Sequence, residues 1–197
     1  MEIEDILFDQ GGNNTPGLGQ QEILYVPVED IASMTCGCNE GSPTNFDGVG
    51  TMEDNIVLKP GKQFARLYFT DETGELSDDV VGETDGKAIK NMLKFFHPGE
   101  SAKILGFVSY AKNRKGFVFL AKDKDCKLRV FGNTCTPAKL VTAPGGTKMK
   151  NGDRKGRDFS FEYTSGEVAP YFAGKVDLTG SGYASGSATD FQVLFVN

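Results

Sequence analysis

The sequence predicts a mainly β chain: an antiparallel β-sandwich or barrel-like subunit with one flanking α-helix and extended loops and termini. Three observations carry this. Between residues 102 and 176, short runs rich in β-branched and aromatic residues follow one another, separated by turns bearing Gly, Asn or Asp. Within that stretch Phe159, Phe161 and Tyr163 alternate with Asp158, Ser160 and Glu162, and a period of two places the three rings on one face of a sheet. Helical spacing of apolar residues is convincing over one stretch, 85–96.

The strand series takes the runs in order. AKILGFVSYA ends at Asn113-Arg114-Lys115-Gly116, GFVFLAK at Asp123-Lys124-Asp125, and KLRVF at Gly132-Asn133. AKLVTA ends at the loop opened by Pro144-Gly145-Gly146, and GRDFSFEYT and YFAGKV follow. Gly, Asn and Asp stand between the runs because they tolerate the backbone angles of tight turns. Upstream, residues 23–28 read as a strand, and Pro27 marks an edge strand or a strand end because it has no N–H to donate. NIVLKPGKQFARLYF reads as a hairpin with its turn at Lys59-Pro60-Gly61-Lys62 and its second strand over 63–70. Neither face of that second strand is cleanly polar, which predicts cover on both sides.

The predicted helix follows an acidic segment, 71–85, that reads as a solvated loop. Thr84 or Asp85 would cap it and His97-Pro98-Gly99 would end it. Ala88, Ile89, Met92, Leu93 and Phe96 fall on its apolar face, to be packed on the sheet; Lys87, Lys90, Asn91 and Lys94 fall on the other. The domain reading is therefore an N-terminal arm over 1–21, a β-sandwich domain over 22–178, and a Gly/Ser linker with a C-terminal strand, FQVLFV, over 179–197.

Composition excludes several classes. A formal charge of −6 argues against a general grip on nucleic acid, which needs a basic surface. The start MEIEDILFDQ lacks the basic and apolar regions of a signal peptide, and no apolar run reaches the ~20 residues of a membrane span. Without an export signal, Cys36, Cys38, Cys126 and Cys135 are expected as free thiols. Cys36-Gly37-Cys38 resembles the start of a zinc site, but its spacing is short and its second pair is far off, so no metal is expected. His97, the single histidine, has no second histidine to work with as a general base. The run Gly82-Glu83-Thr84-Asp85-Gly86-Lys87-Ala88 falls one residue short of a phosphate loop and lacks its hydroxyl. Gly180-Ser181-Gly182 has no βαβ unit around it, and the acids Glu72, Glu75, Asp78 and Asp79 match no calcium loop. These readings predict no enzyme activity and no cofactor.

One loop stands apart. Over 147–157, Lys148, Lys150, Arg154, Lys155 and Arg157 face Asp153 alone, a basic patch in an acidic chain. It reads as a contact for acidic surface on another copy, such as 72–85 or the N-terminal lead; the plainer reading is a solvated hairpin tip. Opposite patches on one chain favour head-to-tail association, which builds rings and tubes.

The order of features is similar to a known family. The early strand ILYVPVEDIASM, a long loop region, a single amphipathic helix, and antiparallel strands with the basic Gly-rich hairpin NGDRKGRDFSFEYTSGEVAPYF resemble the major tail tube proteins of long-tailed bacteriophages. The resemblance spans roughly 23–176 and lies in order and texture, with no catalytic motif. It implies a virion structural protein, made in the host bacterial cytoplasm, whose partners are its own copies and other tail proteins. It implies hexameric rings whose sheets join into an inner barrel, stacked into a tube through which double-stranded DNA passes without specific binding. A tail terminator, a head-decoration protein and a soluble β-sandwich module for a ligand such as carbohydrate remain as alternatives. The absence of Trp counts against the last, since such modules present aromatic platforms.

Overall fold

The computed structural model describes residues 15–19, 21–36, 45–146, 154–174 and 176. In chain order the strands are β1 (Glu22–Pro27), β2 (Ile31–Ser33), β3 (Thr51–Met52), β4 (Val57–Leu58), β5 (Ala65–Tyr68), β6 (Glu75–Val81) and β7 (Ala88–Pro98). They continue with β8 (Phe117–Lys122), β9 (Leu128–Phe131), β10 (Lys139–Thr142), β11 (Gly145–Gly146), β12 (Gly156–Ser165) and β13 (Tyr171–Phe172). Two α-helices, α1 (Phe46–Gly50) and α2 (Ala102–Ala111), interrupt them. The fold is mainly β, as the sequence predicts.

Two sheets form the sandwich. One has six strands in the order β3-β13-β9-β8-β1-β5; the other has four, β10-β12-β7-β6, with β11 also on β12. Between them lies a core that is largely phenylalanine. Phe117, Phe119 and Phe131 of the first sheet meet Phe95, Phe159 and Phe161 of the second, with Phe119 and Phe161 4.7 Å apart at their centroids. The alternation read at residues 158–163 is realised, with Phe159, Phe161 and Tyr163 all buried.

The two sheets are covered differently. The six-stranded sheet is buried on both faces along β1, β8 and β9, because Leu24, Val26, Val118, Leu120 and Val130 point away from the first core into a second one. That second core is closed by Ile31, Met34, Ile56 and Leu58, which belong to the β2–β4 pair and its surroundings. Hence β8 is a continuous apolar run, the mark of a strand covered on both sides. The four-stranded sheet has apolar cover on its inner face.

The helix is not where the hydrophobic spacing placed it. Residues 88–98 form strand β7, paired with β12 through ten residues and with β6 through seven. The same apolar residues satisfy a period of two as well as one of 3.6, and pairing on both sides decides for the strand. The expected helix face is therefore split: Leu93 is fully buried and Ile89 shares its side, whereas Met92 and Phe96 point to the outer face. AKILGFVSYA, expected as a strand, is α2. Ser101 caps it, its Oγ accepting from the Ile104 N–H at 3.3 Å, and Pro98-Gly99 breaks the preceding strand. Ile104, Phe107, Val108 and Ala111 recur at helical spacing and pack on the phenylalanine core.

Three further expectations change. The turn at Lys59–Lys62 forms, with the Lys62 N–H donating to Lys59 O at 3.0 Å, but β4 pairs with β2 and β5 with β1, so there is no hairpin. Strand β5 is not covered on both faces: Leu67 is buried while Arg66 and Tyr68 are exposed. The acidic segment holds a strand, β6, because Leu76 pairs across to Leu93 and docks on the core. Pro27 ends β1, which is an internal strand. Residues 1–14 of the expected arm and 177–197, with the expected C-terminal strand, lie outside the described residues.

Candidate assembly face

The outer face of the four-stranded sheet is polar and ordered by charge. Register sets who stands beside whom. From β6, Glu75 lies opposite Lys94 and Asp79 opposite Lys90. On β12 the same side presents Asp158, Ser160, Glu162 and Thr164, and on β10 Lys139 lies opposite Glu162. Crossing the sheet, the strands thus read acidic (β6), basic (β7), acidic (β12) and basic (β10). A diagonal pair between β7 and β12 is closed, Lys90 Nζ to Glu162 Oε2 at 2.6 Å. Such pairs, half exposed, contribute little to folding, so their regularity is not demanded by stability.

Among the described residues, no further strand pairs with the outer edge of β6 or of β10. On β6 the exposed residues Glu75, Asp78, Asp79 and Val80 occupy the edge, with Val80 62% exposed. On β10 the register slips between Leu140 and Thr142, leaving Val141 47% exposed. An edge strand is a template for another strand. Acids on β6 and a bulge on β10 make indiscriminate pairing unfavourable while leaving each edge selective for an opposite charge.

The basic loop borders this face, and its members have separate fates. Arg157 is held inside the subunit: its guanidinium donates to Ala143 O and to Glu100 Oε1, both at 2.6 Å. Gly145 lies flat against that guanidinium, where a Cβ would come within 2.8 Å of its carbon. Arg157 therefore fixes β11 and the start of α2 to β12. Arg154 stacks over Phe96, 3.9 Å from the ring centre, which explains how an outward-facing phenylalanine is buried. An open groove of about 770 Å³ runs there, lined by Lys94, Phe96, Thr142, Arg154 and Asp158. Lys155 is exposed. Lys148 and Lys150 lie outside the described residues.

The other candidates fall apart spatially. His97 Nδ1 lies 2.8 Å from Tyr68 O, a local bond. Among the described residues no group of three or more His, Cys, Asp or Glu is arranged to hold a metal ion, and no helix is long and apolar enough to cross a membrane. The cysteine expectation is overturned. Cys36 and Cys135 are joined as a disulfide, with Cα atoms 5.5 Å apart across a sequence separation of 99. The physical reason is tertiary: the β9–β10 turn is folded onto the segment after β2, a proximity that spacing along the chain does not reveal. Cys126 is a free, exposed thiol, and Cys38 lies outside the described residues.

Sequence reasoning also missed Asn91, the one buried polar side chain among the described residues, and the role of β6. A signal for β6 was present in Leu76, Asp78 and Val80 alternating with Ser77 and Asp79, masked by its charge.

No family model, no curated protein and no solved structure matches the chain.

Proposed function

We propose that this protein is a self-assembling structural subunit whose copies join head to tail into rings, and that stacked rings form a virion tail tube for genome passage. The observation that carries this reading is the charge order of the open sheet. The β10 edge presents Lys139, and the β6 edge presents Glu75 and Asp79 on the same face. A β10 edge laid beside the β6 edge of the next copy continues the alternation without a break. Four strands alternating in direction also keep the new pair antiparallel. A two-fold pairing of β6 with β6 would set acids against acids, so complementarity favours the heterologous, ring-forming contact.

The tube reading adds what the resemblance implies: six copies per ring, other tail proteins as partners at the ends, assembly in the host bacterial cytoplasm, and residence in the virion. A lumen lined by the open face would present Glu75, Asp79, Asp158 and Glu162 interspersed with Lys90, Lys94 and Lys139. Cations so answered by neighbouring carboxylates offer a duplex no continuous basic track, and passing DNA would not stick. The role is structural, not enzymatic, and needs no cofactor.

Electron microscopy of the concentrated protein, with sedimentation over a range of concentrations, tests this. Rings or tubes with a central hole are expected. A monomer that persists at high concentration in low and moderate salt overturns the proposal.

A further inference from the structure

We propose that Cys36 and Cys135 form a reversible redox latch: the two thiols are brought together by the fold itself, and a small-molecule disulfide closes the bond afterwards. Each side is positioned by contacts other than the disulfide. The turn that carries Cys135 is built by Asn133, whose Oδ1 accepts from the Cys135 N–H at 2.9 Å and the Thr136 N–H at 2.6 Å. The segment that carries Cys36 is anchored by Met34, buried in the second core. Thr134 joins the two, its Oγ1 donating to Met34 O at 3.3 Å and lying 3.3 Å from Cys36 Sγ. Both cysteines are exposed, so a thiol or disulfide in solution can reach the sulfurs.

The chemistry is thiol–disulfide exchange. One protein thiolate attacks oxidised glutathione, releasing one reduced glutathione and leaving a mixed disulfide. The second thiolate displaces the other glutathione. Two protein thiols are oxidised to one disulfide, and one glutathione disulfide is reduced to two thiols. Closing the bond ties the segment after β2 to the β9–β10 turn at the mouth of a cleft of about 150 Å³ lined by Met34, Met52, Val130 and Tyr163. It also restricts the unfolded chain across 99 residues. In the chain-entropy account that constraint raises the midpoint of thermal unfolding by roughly 10 °C. The latch would therefore leave a subunit pliant in a reducing compartment and fastened outside it.

The test equilibrates the folded full chain in buffers of reduced and oxidised glutathione, quenches with acid, counts thiols and maps the bond by mass spectrometry. The expected results are two thiols lost in oxidised buffer, a bond between Cys36 and Cys135, and return of both thiols in reduced buffer without denaturant. The oxidised form should melt roughly 10 °C higher. Cys135→Ser should melt like the reduced protein in both buffers, and Cys126→Ser should behave as the parent. Retention of all thiols in oxidised buffer, a bond mapped to Cys38 or Cys126, or equal melting of the two forms overturns the proposal.

Discussion

Asn91, fully buried on β7, accepts a hydrogen bond through Oδ1 from the backbone N–H of Ala169 at 2.9 Å. Its Nδ2 donates to Glu167 O at 3.0 Å. One side chain thus holds two backbone groups of the loop that returns from β12 to β13. Replacing Asn91 with Leu strands the buried Ala169 N–H, while Glu167 O keeps the bond it accepts from Ser165 Oγ. The expected loss is about 1–3 kcal/mol in chemical denaturation. A loss below about half a kilocalorie would mean that water replaces the amide.

Leu93 and Met92 are neighbours with opposite fates. Leu93→Ala opens a cavity between the sheets and should cost roughly 2–5 kcal/mol. Met92→Ala, on the outer face, should cost much less. Equal and large losses would return both residues to one apolar face, as a helix requires.

Arg157 and Glu100 form an ion pair whose side chains are only 15% and 13% exposed. Removing one partner leaves the other charge buried. Glu100→Ala should therefore cost roughly 3–5 kcal/mol, whereas Lys90→Ala at the exposed pair with Glu162 should cost under about 1 kcal/mol. Thermal melts of the two variants check the ranking.

The proposed edge-to-edge contact makes a prediction by mixing. One variant carries Glu75→Lys with Asp79→Lys, so both its edges are basic; another carries Lys139→Glu, so both are acidic. Each alone should stay folded and fail to assemble. Mixed in equal amounts they should assemble, with the variants alternating. Assembly of either alone, or none on mixing, removes the β6–β10 contact from the account.

Arg154 and Lys155 test the basic loop separately. Arg154→Glu with Lys155→Glu should weaken assembly while leaving the melting temperature nearly unchanged, and added salt should weaken the parent in the same direction. Indifference of assembly to both would leave the loop a solvated tip.

The sequence by itself determined the class and much of the strand order. Phe159, Phe161 and Tyr163 alternate with polar residues because one face of β12 meets the core, and that local pattern needs no partner to be read. The turns at Asp123–Asp125 and Gly132-Asn133 were likewise legible, since the backbone there selects its residues. Tertiary structure decided the rest. Residues 88–98 fit two periods, and only the ladders to β6 and β12 choose between them. AKILGFVSYA has the composition of a strand, yet Ser101 and the packing of Ile104, Phe107, Val108 and Ala111 make it a helix. The acids of 71–85 hide an edge strand because charge on an exposed strand is a property of its place in the sheet. The Cys36–Cys135 bond and the charge order across four strands join residues far apart in the chain. Such relations are created by register and docking, which no local pattern encodes.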